Sequence, residues 1–200
     1  KEEKSSKIFT GNEKTQEELF SHNKNKKYLL PPGKPILFLI ELGIMNKDGK
    51  VFDKKQKKFR QINRFLEFID DILDDLCKEK NPSPNNPLNI IDFGCGKSYL
   101  SFALYHFLVI EKKIPSKIIG LDLRSDIIET CTKLARACSY ENLHFYTDSI
   151  ENYLKNEKNK DKNRETSQKL DMVISLHACN TATDYALASA IEQNAQVILS

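Results

Sequence analysis

Leu88-Asn89-Ile90-Ile91-Asp92-Phe93 is a short apolar run, and Gly94-Cys95-Gly96-Lys97-Ser98 follows it directly. A run of this length, rich in Ile and Phe and stopped by glycine, reads as a buried strand. From Ser98 to Ile110 the chain is apolar almost all round, which predicts a buried helix. Strand, glycine turn and helix in that order place Gly94 and Gly96 at the carboxyl end of a strand. There they let the backbone turn tightly and come close to a ligand, beside the unpaired N–H groups of a helix N-terminus.

Downstream the alternation continues. Lys117 to Leu123 predicts a second strand, and Ser125 caps a helix through Ser139 with Ile127, Ile128, Cys131, Leu134, Ala135 and Cys138 on one face. Leu143 to Tyr146 is a third strand, Ser149 to Leu154 a short helix, and Leu170 to Leu176 a fourth strand. Thr181 to Asp184 matches a capping box opening a helix to Gln193, and Ala195 to Leu199 is a fifth strand. Strands separated by helices pair in parallel through right-handed crossovers. The fold class expected over residues 88–200 is therefore α/β, a Rossmann-like doubly wound, mainly parallel sheet. Lys155 to Lys169 reads as a polar surface loop, and no internal repeat is evident.

Upstream, residues 1–34 are polar and rich in Lys and Asn, a loosely ordered arm closed by Pro31-Pro32-Gly33. Residues 35–87 form an N-terminal helical and hairpin extension. Ile36 to Met45 is a short buried segment, and Asn46 to Lys50 carries an Asp-Gly turn before Val51 and Phe52. Lys58 to Cys77 spaces Phe59, Ile62, Phe65, Leu66, Ile69, Ile72, Leu73 and Leu76 by three and four, an amphipathic helix of about five turns. The prolines at 82, 84 and 87 end it in a linker.

With 40% hydrophobic and 30% charged residues among 200, the chain is built to fold in water. Its longest apolar run, Pro35 to Ile40, falls far short of a membrane span, so no membrane partner is expected. The start, Lys1-Glu2-Glu3-Lys4, has neither an initiator Met nor a signal-peptide core, which suggests a fragment of a protein that is not secreted. Five cysteines without a CxxC pair or zinc spacing point to a reducing, cytoplasmic setting, with Cys131 and Cys138 packing as small hydrophobes. Charge is uneven. Residues 1–80 hold 18 Lys and Arg against 14 Asp and Glu, and residues 47–64 alone hold eight against two. That stretch suits phosphates, RNA among them, unless the acids from Glu67 to Asp75 neutralise it internally.

Three acids recur at equivalent places. Asp92 precedes the glycines, where it disfavours a diphosphate and favours a cationic ligand. The third glycine of a dinucleotide fingerprint would fall at position 99, which is Tyr99. Asp122 ends the second strand, where a carboxylate accepts hydrogen bonds from ribose hydroxyls, and Asp148 follows the third, near where an adenine amino group would lie. For Asp122, and more so for Asp148, the plainer alternative is a helix N-cap or a solvated loop acid. Together they describe an adenosine site.

Asp92-x-Gly94-x-Gly96, Asp122 and Asp148 resemble the successive cofactor motifs of class I S-adenosylmethionine-dependent methyltransferases. The strings Lys58 to Glu67, Asp92 to Leu100 and His177 to Asp184 resemble one methyltransferase-domain family shared by bacteria and eukaryotic methyltransferase-like proteins, over about residues 25 to 200. The resemblance implies S-adenosylmethionine or S-adenosylhomocysteine bound by Asp92, Gly94, Cys95, Gly96, Ser98, Asp122, Leu123, Asp148, Ser149 and Ser175, with Gln61 and Asn63 on a helix over the cleft. It leaves the methyl acceptor undefined. His177, in the loop expected to face the methyl group, is the candidate general base; a structural His is the plainer alternative. A full class I sheet has seven strands, so the resemblance implies further strands and a Cys- and His-containing loop beyond Ser200. The loop after the fourth strand lacks the Asn/Asp-Pro-Pro-Tyr/Phe string of many base-amino methyltransferases. Two other readings stand beside this one: a nicotinamide-dependent oxidoreductase, disfavoured by Tyr99, and a noncatalytic RNA-binding scaffold, favoured by the basic stretch.

Overall fold

In the computed structural model, residues 28–149, 152–153, 170–176, 184, 187–188, 191 and 195–200 are described. The elements are α1 (Leu37–Glu41), a 3-10 turn (Asp53–Lys55), α2 (Gln56–Lys80), β1 (Leu88–Phe93), α3 (Tyr99–Tyr105) running into a π turn (His106–Glu111), β2 (Ser116–Asp122), α4 (Ser125–Ala137), β3 (Leu143–Thr147), β4 (Met172–Ile174) and β5 (Val197–Leu199). The five strands form one sheet in the order β3-β2-β1-β4-β5, every neighbouring pair parallel. This is the Rossmann-like α/β fold the alternation predicts. The chain builds outward from β1 to β3 and then returns to the other side of β1. The order therefore reverses between β1 and β4, the point where such sheets open a crevice at their carboxyl edge.

Alternate residues of each strand serve two layers. Leu88, Ile90, Ile118, Leu143, Phe145, Met172 and Ile174 join the larger core with α2, α3 and α4, while Ile91, Phe93, Ile119, Leu121 and Val173 form a smaller one with Leu170. The larger core also takes in Leu30, Ile36 and Phe38 from the N-terminal segment, with the Phe38 ring stacked on Phe102 at 6.3 Å. Between α1 and α2 the chain makes a helix plus tight turn, with a single antiparallel bridge, Met45 to Val51. The Asn46 Oδ1 accepts the N–H groups of Asp48 and Lys50, and Gly49 (φ +80°) lies so close to Gly33 that a Cβ would sit 2.7 Å from its carbonyl carbon.

Helix α2 buries the predicted stripe, Phe59, Ile62, Phe65, Leu66, Ile69, Leu73 and Leu76. It ends where Asn81 adopts a left-handed conformation (φ 50°) and returns its N–H to Cys77 O, just before Pro82. Its amino end runs against its dipole, with no acid in the first turn and Lys57, Lys58, Arg60 and Arg64 in the amino half, while Lys78 and Lys80 in the last turn agree with it. At the amino edge of the sheet a buried Asp171 ties three elements together: its Oδ2 accepts the Asn89 N–H at 2.8 Å and pairs with Lys80 Nζ at 3.1 Å.

Two local expectations need correction. Ser125 does not cap α4; it is the first helical residue, and Arg124 is the cap, without a side-chain hydrogen bond. The apolar stretch after Ser98 is α-helical only to Tyr105, then widens into the π turn, which sets His106 Nδ1 2.8 Å from the Tyr140 hydroxyl.

Candidate functional site

The glycine loop uses left-handed backbone at three residues. Gly94 (φ 66°) and Gly96 (φ 55°) enter that region freely, whereas Ser98 (φ 55°) is held there by its surroundings, 1% exposed, its Oγ bonded to Gly96 O at 3.3 Å. Two bonds from β2 fix the loop: Cys95 N–H donates to Leu121 O at 3.0 Å, and Gly96 N–H to Asp122 Oδ2 at 2.9 Å. Cys95 folds inward and is buried, its thiol pushed well above its usual pKa by burial, so only its backbone borders the crevice. Room for that side chain comes from Gly120, where a Cβ would meet the Phe145 ring at 2.6 Å and Cys95 Sγ at 3.0 Å. Cys131 on α4 closes the cluster, its thiol 3.6 Å from Gly96 O and 3.5 Å from Ser98 Oγ.

Asp92 and Asp122 are both buried, yet chemistry separates them. Asp92 lies under α3 and accepts the Ser101 hydroxyl at 2.5 Å; burial raises its pKa to about 7, against the pull of that hydrogen bond, with the Asp122 charge adding to the rise. Burial thus favours its protonated form over the carboxylate. Asp122 is the reverse case. Its Oδ1 accepts Arg124 N at 3.0 Å and Arg124 Nε at 2.9 Å, and its Oδ2 accepts Gly96 N and Arg124 Nη2, both at 2.9 Å. The Arg124 side chain foremost, then the backbone N–H groups, hold it down at about 2 against the effect of burial.

The remaining expected residues fall around this cluster. Leu123 is 74% exposed beside it. Asp148 and Ser149 stand at the carboxyl end of β3; Asp148 Oδ1 accepts Ser149 N–H, and it is Ser149, through Asn152 N–H, that caps the following turn. Ser175 follows β4 on the other side of β1, 4% exposed, its N–H bound to Leu199 O and its Oγ without a partner among the described residues. Gln61 lies on α2, accepts a hydrogen bond from Lys58 Nζ, and joins Phe65, Phe68, Leu100, Leu176 and Leu199 around an apolar pocket of about 460 Å³. Asn63 faces away from the cleft: it is fully buried, its Oδ1 taking the Leu30 N–H and its amide reaching Phe59 O. His177 and most of the string to Asp184 lie outside the described residues.

Sequence reasoning missed Arg124, Gly120 and Ser101. Only Gly120 carried a signal, as a glycine inside a strand. The basic stretch is also clearer in three dimensions. Lys58 Nζ sits 5.1 Å from the centroid of Tyr99, the residue that opens α3, so the amino half of α2 reaches the mouth of the crevice. Of the acids after it, Glu67 pairs with Arg64 at the end of the stretch, while Asp70 pairs with Lys112 and Asp75 with Lys78. Lys54, Lys57 and Arg60 remain exposed with no carboxylate partner among the described residues.

Residues 57–200 match the model of a family described as a methyltransferase domain. Among solved structures, the chain resembles the bifunctional kinase-methyltransferase WbdD at 21% identity and a TM-score of 0.44, covering 67% of this chain and 26% of that one. It also resembles PKMT2 from Rickettsia typhi, solved in complex with AdoHcy (19%, TM-score 0.37, covering 55% and 20%). A TehB-like SAM-dependent methyltransferase from Corynebacterium glutamicum is a third (14%, TM-score 0.34, covering 68% of each). The chain thus spans about a quarter of the length of WbdD. A search of curated proteins finds no match. No helix among the described residues is long and apolar enough to cross a membrane.

Proposed function

The chain belongs to the methyltransferase-domain family, and on that premise we propose that it is an S-adenosylmethionine-dependent methyltransferase whose cofactor lies in the crevice at Gly94–Ser98. One observation carries the reading: Asp122, ionised and anchored to the glycine loop through Gly96 N–H, stands beside the point where strand order reverses. The residues fit the cofactor. Among the described residues, Gly96 leaves open space, with only Arg124 Nη2 within 4 Å of a Cβ built there, and Ser175 Oγ is a buried hydroxyl lacking a partner on the far side of β1.

Bound there, S-adenosylmethionine supplies a methyl group on a positively charged sulfur. Asp122 would accept the ribose hydroxyls, Leu123 would lie against the adenine, and Asp148 and Ser149 would offer polar contacts to its edge. Asp92 would stand under the loop with Gly94, Cys95, Gly96 and Ser98 shaping the floor, and Ser175 and Gln61 would border the methyl side. The protein's share of the reaction is alignment of acceptor with methyl group and exclusion of water. His177 is our candidate for the base that takes the acceptor's proton, its ordinary pKa being near neutrality.

RNA is the acceptor class we favour. In support, the unpaired cations Lys54, Lys57 and Arg60 are on the stretch that Lys58 brings against Tyr99, beside the apolar pocket where a base could stack.

Calorimetry with S-adenosylmethionine, S-adenosylhomocysteine and NAD tests the cofactor. The first two should bind, and Asp122→Ala should weaken S-adenosylhomocysteine by about 1 to 3 kcal/mol, the worth of a charged hydrogen bond. NAD binding in their place would return the oxidoreductase reading, and no binding the scaffold reading. Methyl transfer to cellular RNA against protein fractions tests the acceptor. Labelled protein with unlabelled RNA would reject it.

A further inference from the structure

We infer that the Arg124 side chain is a built-in stand-in for the ribose, occupying the positions on Asp122 that a nucleoside diol takes and leaving when the diol arrives. The inference rests on the cofactor reading above. A carboxylate has about four lone-pair positions. On Asp122 all four hold N–H donors: Gly96 N, Arg124 N, Arg124 Nε and Arg124 Nη2. No place remains for a ligand hydroxyl unless a donor withdraws.

The donors differ in what withdrawal costs. Gly96 N–H belongs to the glycine loop and Arg124 N–H to the β2–α4 turn, so neither can leave while the fold stands. The guanidinium is attached only by its own stem. Its side chain is 59% exposed, against 8% for the carboxylate it grips, and it can swing into solvent without disturbing the core. It contributes two of the four bonds, one on each carboxylate oxygen. Two vicinal hydroxyls replace that fork one for one. A sugar with a single hydroxyl restores one bond and leaves a buried lone pair unsatisfied, so the guanidinium sharpens the demand for an intact diol.

Two consequences separate Arg124 from an ordinary ligand-binding arginine. Ligand and side chain compete, so removing the side chain tightens binding. Because the competitor is a solvent-exposed ion pair, salt weakens it and thereby aids the ligand. A nucleotide with a phosphate on the ribose would behave oppositely, drawing the guanidinium to itself.

The test is calorimetric titration of S-adenosylhomocysteine into the wild type, Arg124→Ala and Arg124→Lys at low and high salt. Arg124→Ala should bind about threefold to fivefold more tightly at low salt, with Arg124→Lys between. Wild-type affinity should rise with salt toward that of Arg124→Ala, which should itself stay flat. Folding is safe, because the backbone N–H that holds the turn is kept and a cation is removed from a helix N-terminus; thermal midpoints check this. Equal or weaker binding by Arg124→Ala, or tighter wild-type binding of a 2′-phosphorylated adenine dinucleotide, would overturn the stand-in role while leaving a nucleoside site in place. Failure of every variant to bind S-adenosylhomocysteine would reject the cofactor reading, and the stand-in with it.

Discussion

Replacing Asp92 by Asn should change how stability depends on pH, and the size of the change follows from where the carboxyl lies. Its pKa is about 7 when folded, against an ordinary 3.8. A raised carboxyl binds its proton more tightly in the folded protein. The associated stability is therefore complete below about pH 4 and is lost as pH rises toward and through 7. Integrating between pH 5 and pH 8 gives a loss of roughly 2 to 3 kcal/mol from this group alone. The carboxyl is 5% exposed, so solvent screening takes little from that figure. Asn has nearly the same shape and can still accept the Ser101 hydroxyl, but does not titrate. Its new amide N–H groups need partners and cost about 1 to 3 kcal/mol if they find none. That cost is the same at both pH values. Urea unfolding of both proteins at pH 5 and pH 8 cancels it, leaving the difference of differences. Asp92→Asn should lose roughly 2 to 3 kcal/mol less stability than the wild type on going to pH 8. Parallel profiles would show that Asp92 is ionised throughout, and the argument from burial would fall.

Further expectations concern the supports of the site. Gly120→Ala drives a methyl into the Phe145 ring at 2.6 Å and should cost about 1 to 3 kcal/mol in urea unfolding, with faster hydrogen exchange at Cys95 and Gly96. Asn63→Ala leaves the Leu30 N–H buried without an acceptor and should cost about 1 to 3 kcal/mol; proteolysis should then reach the N-terminal segment first. Asp122 has the opposite linkage to Asp92. Its stabilisation is present above its ordinary 3.8 and is lost as pH falls toward 2, so Asp122→Asn should flatten the acid limb of the unfolding curve below pH 4, as followed by circular dichroism.

The framework was legible because strand and helix periods in this chain are clean. β1 runs from Leu88 to Phe93 as read, since glycine stops it abruptly, and the stripe on α2 is buried where its spacing says. Boundaries failed where tertiary contacts outweigh local preference. Ser125 looked like a cap, but the Asp122 carboxylate already takes the Arg124 N–H at that turn, and the helix starts at Ser125 itself, one residue earlier than a Ser cap there requires. The π turn could not be foreseen, because an all-apolar run shows no phase from which to tell 3.6 residues per turn from more. In the site, Asp122 and the glycines were readable as types at matched positions. Arg124 was not, since an arginine after an acid is ordinary until both oxygens of that acid are seen to be engaged by it. Asn63 misled for a related reason: its helix does reach the crevice mouth through Lys58 and Gln61, but Asn63 lies on the buried face of that helix.

The cations at the amino end of α2 set a course for anyone who would engineer or evolve this domain. Heat selection alone would reward an acid at position 57, in the first turn, and would remove a cation that the proposed RNA acceptor would call on. Under the RNA acceptor we propose, variants that gain degrees of melting temperature through this turn should bind RNA more weakly, and robustness will have to be sought in the packed face instead.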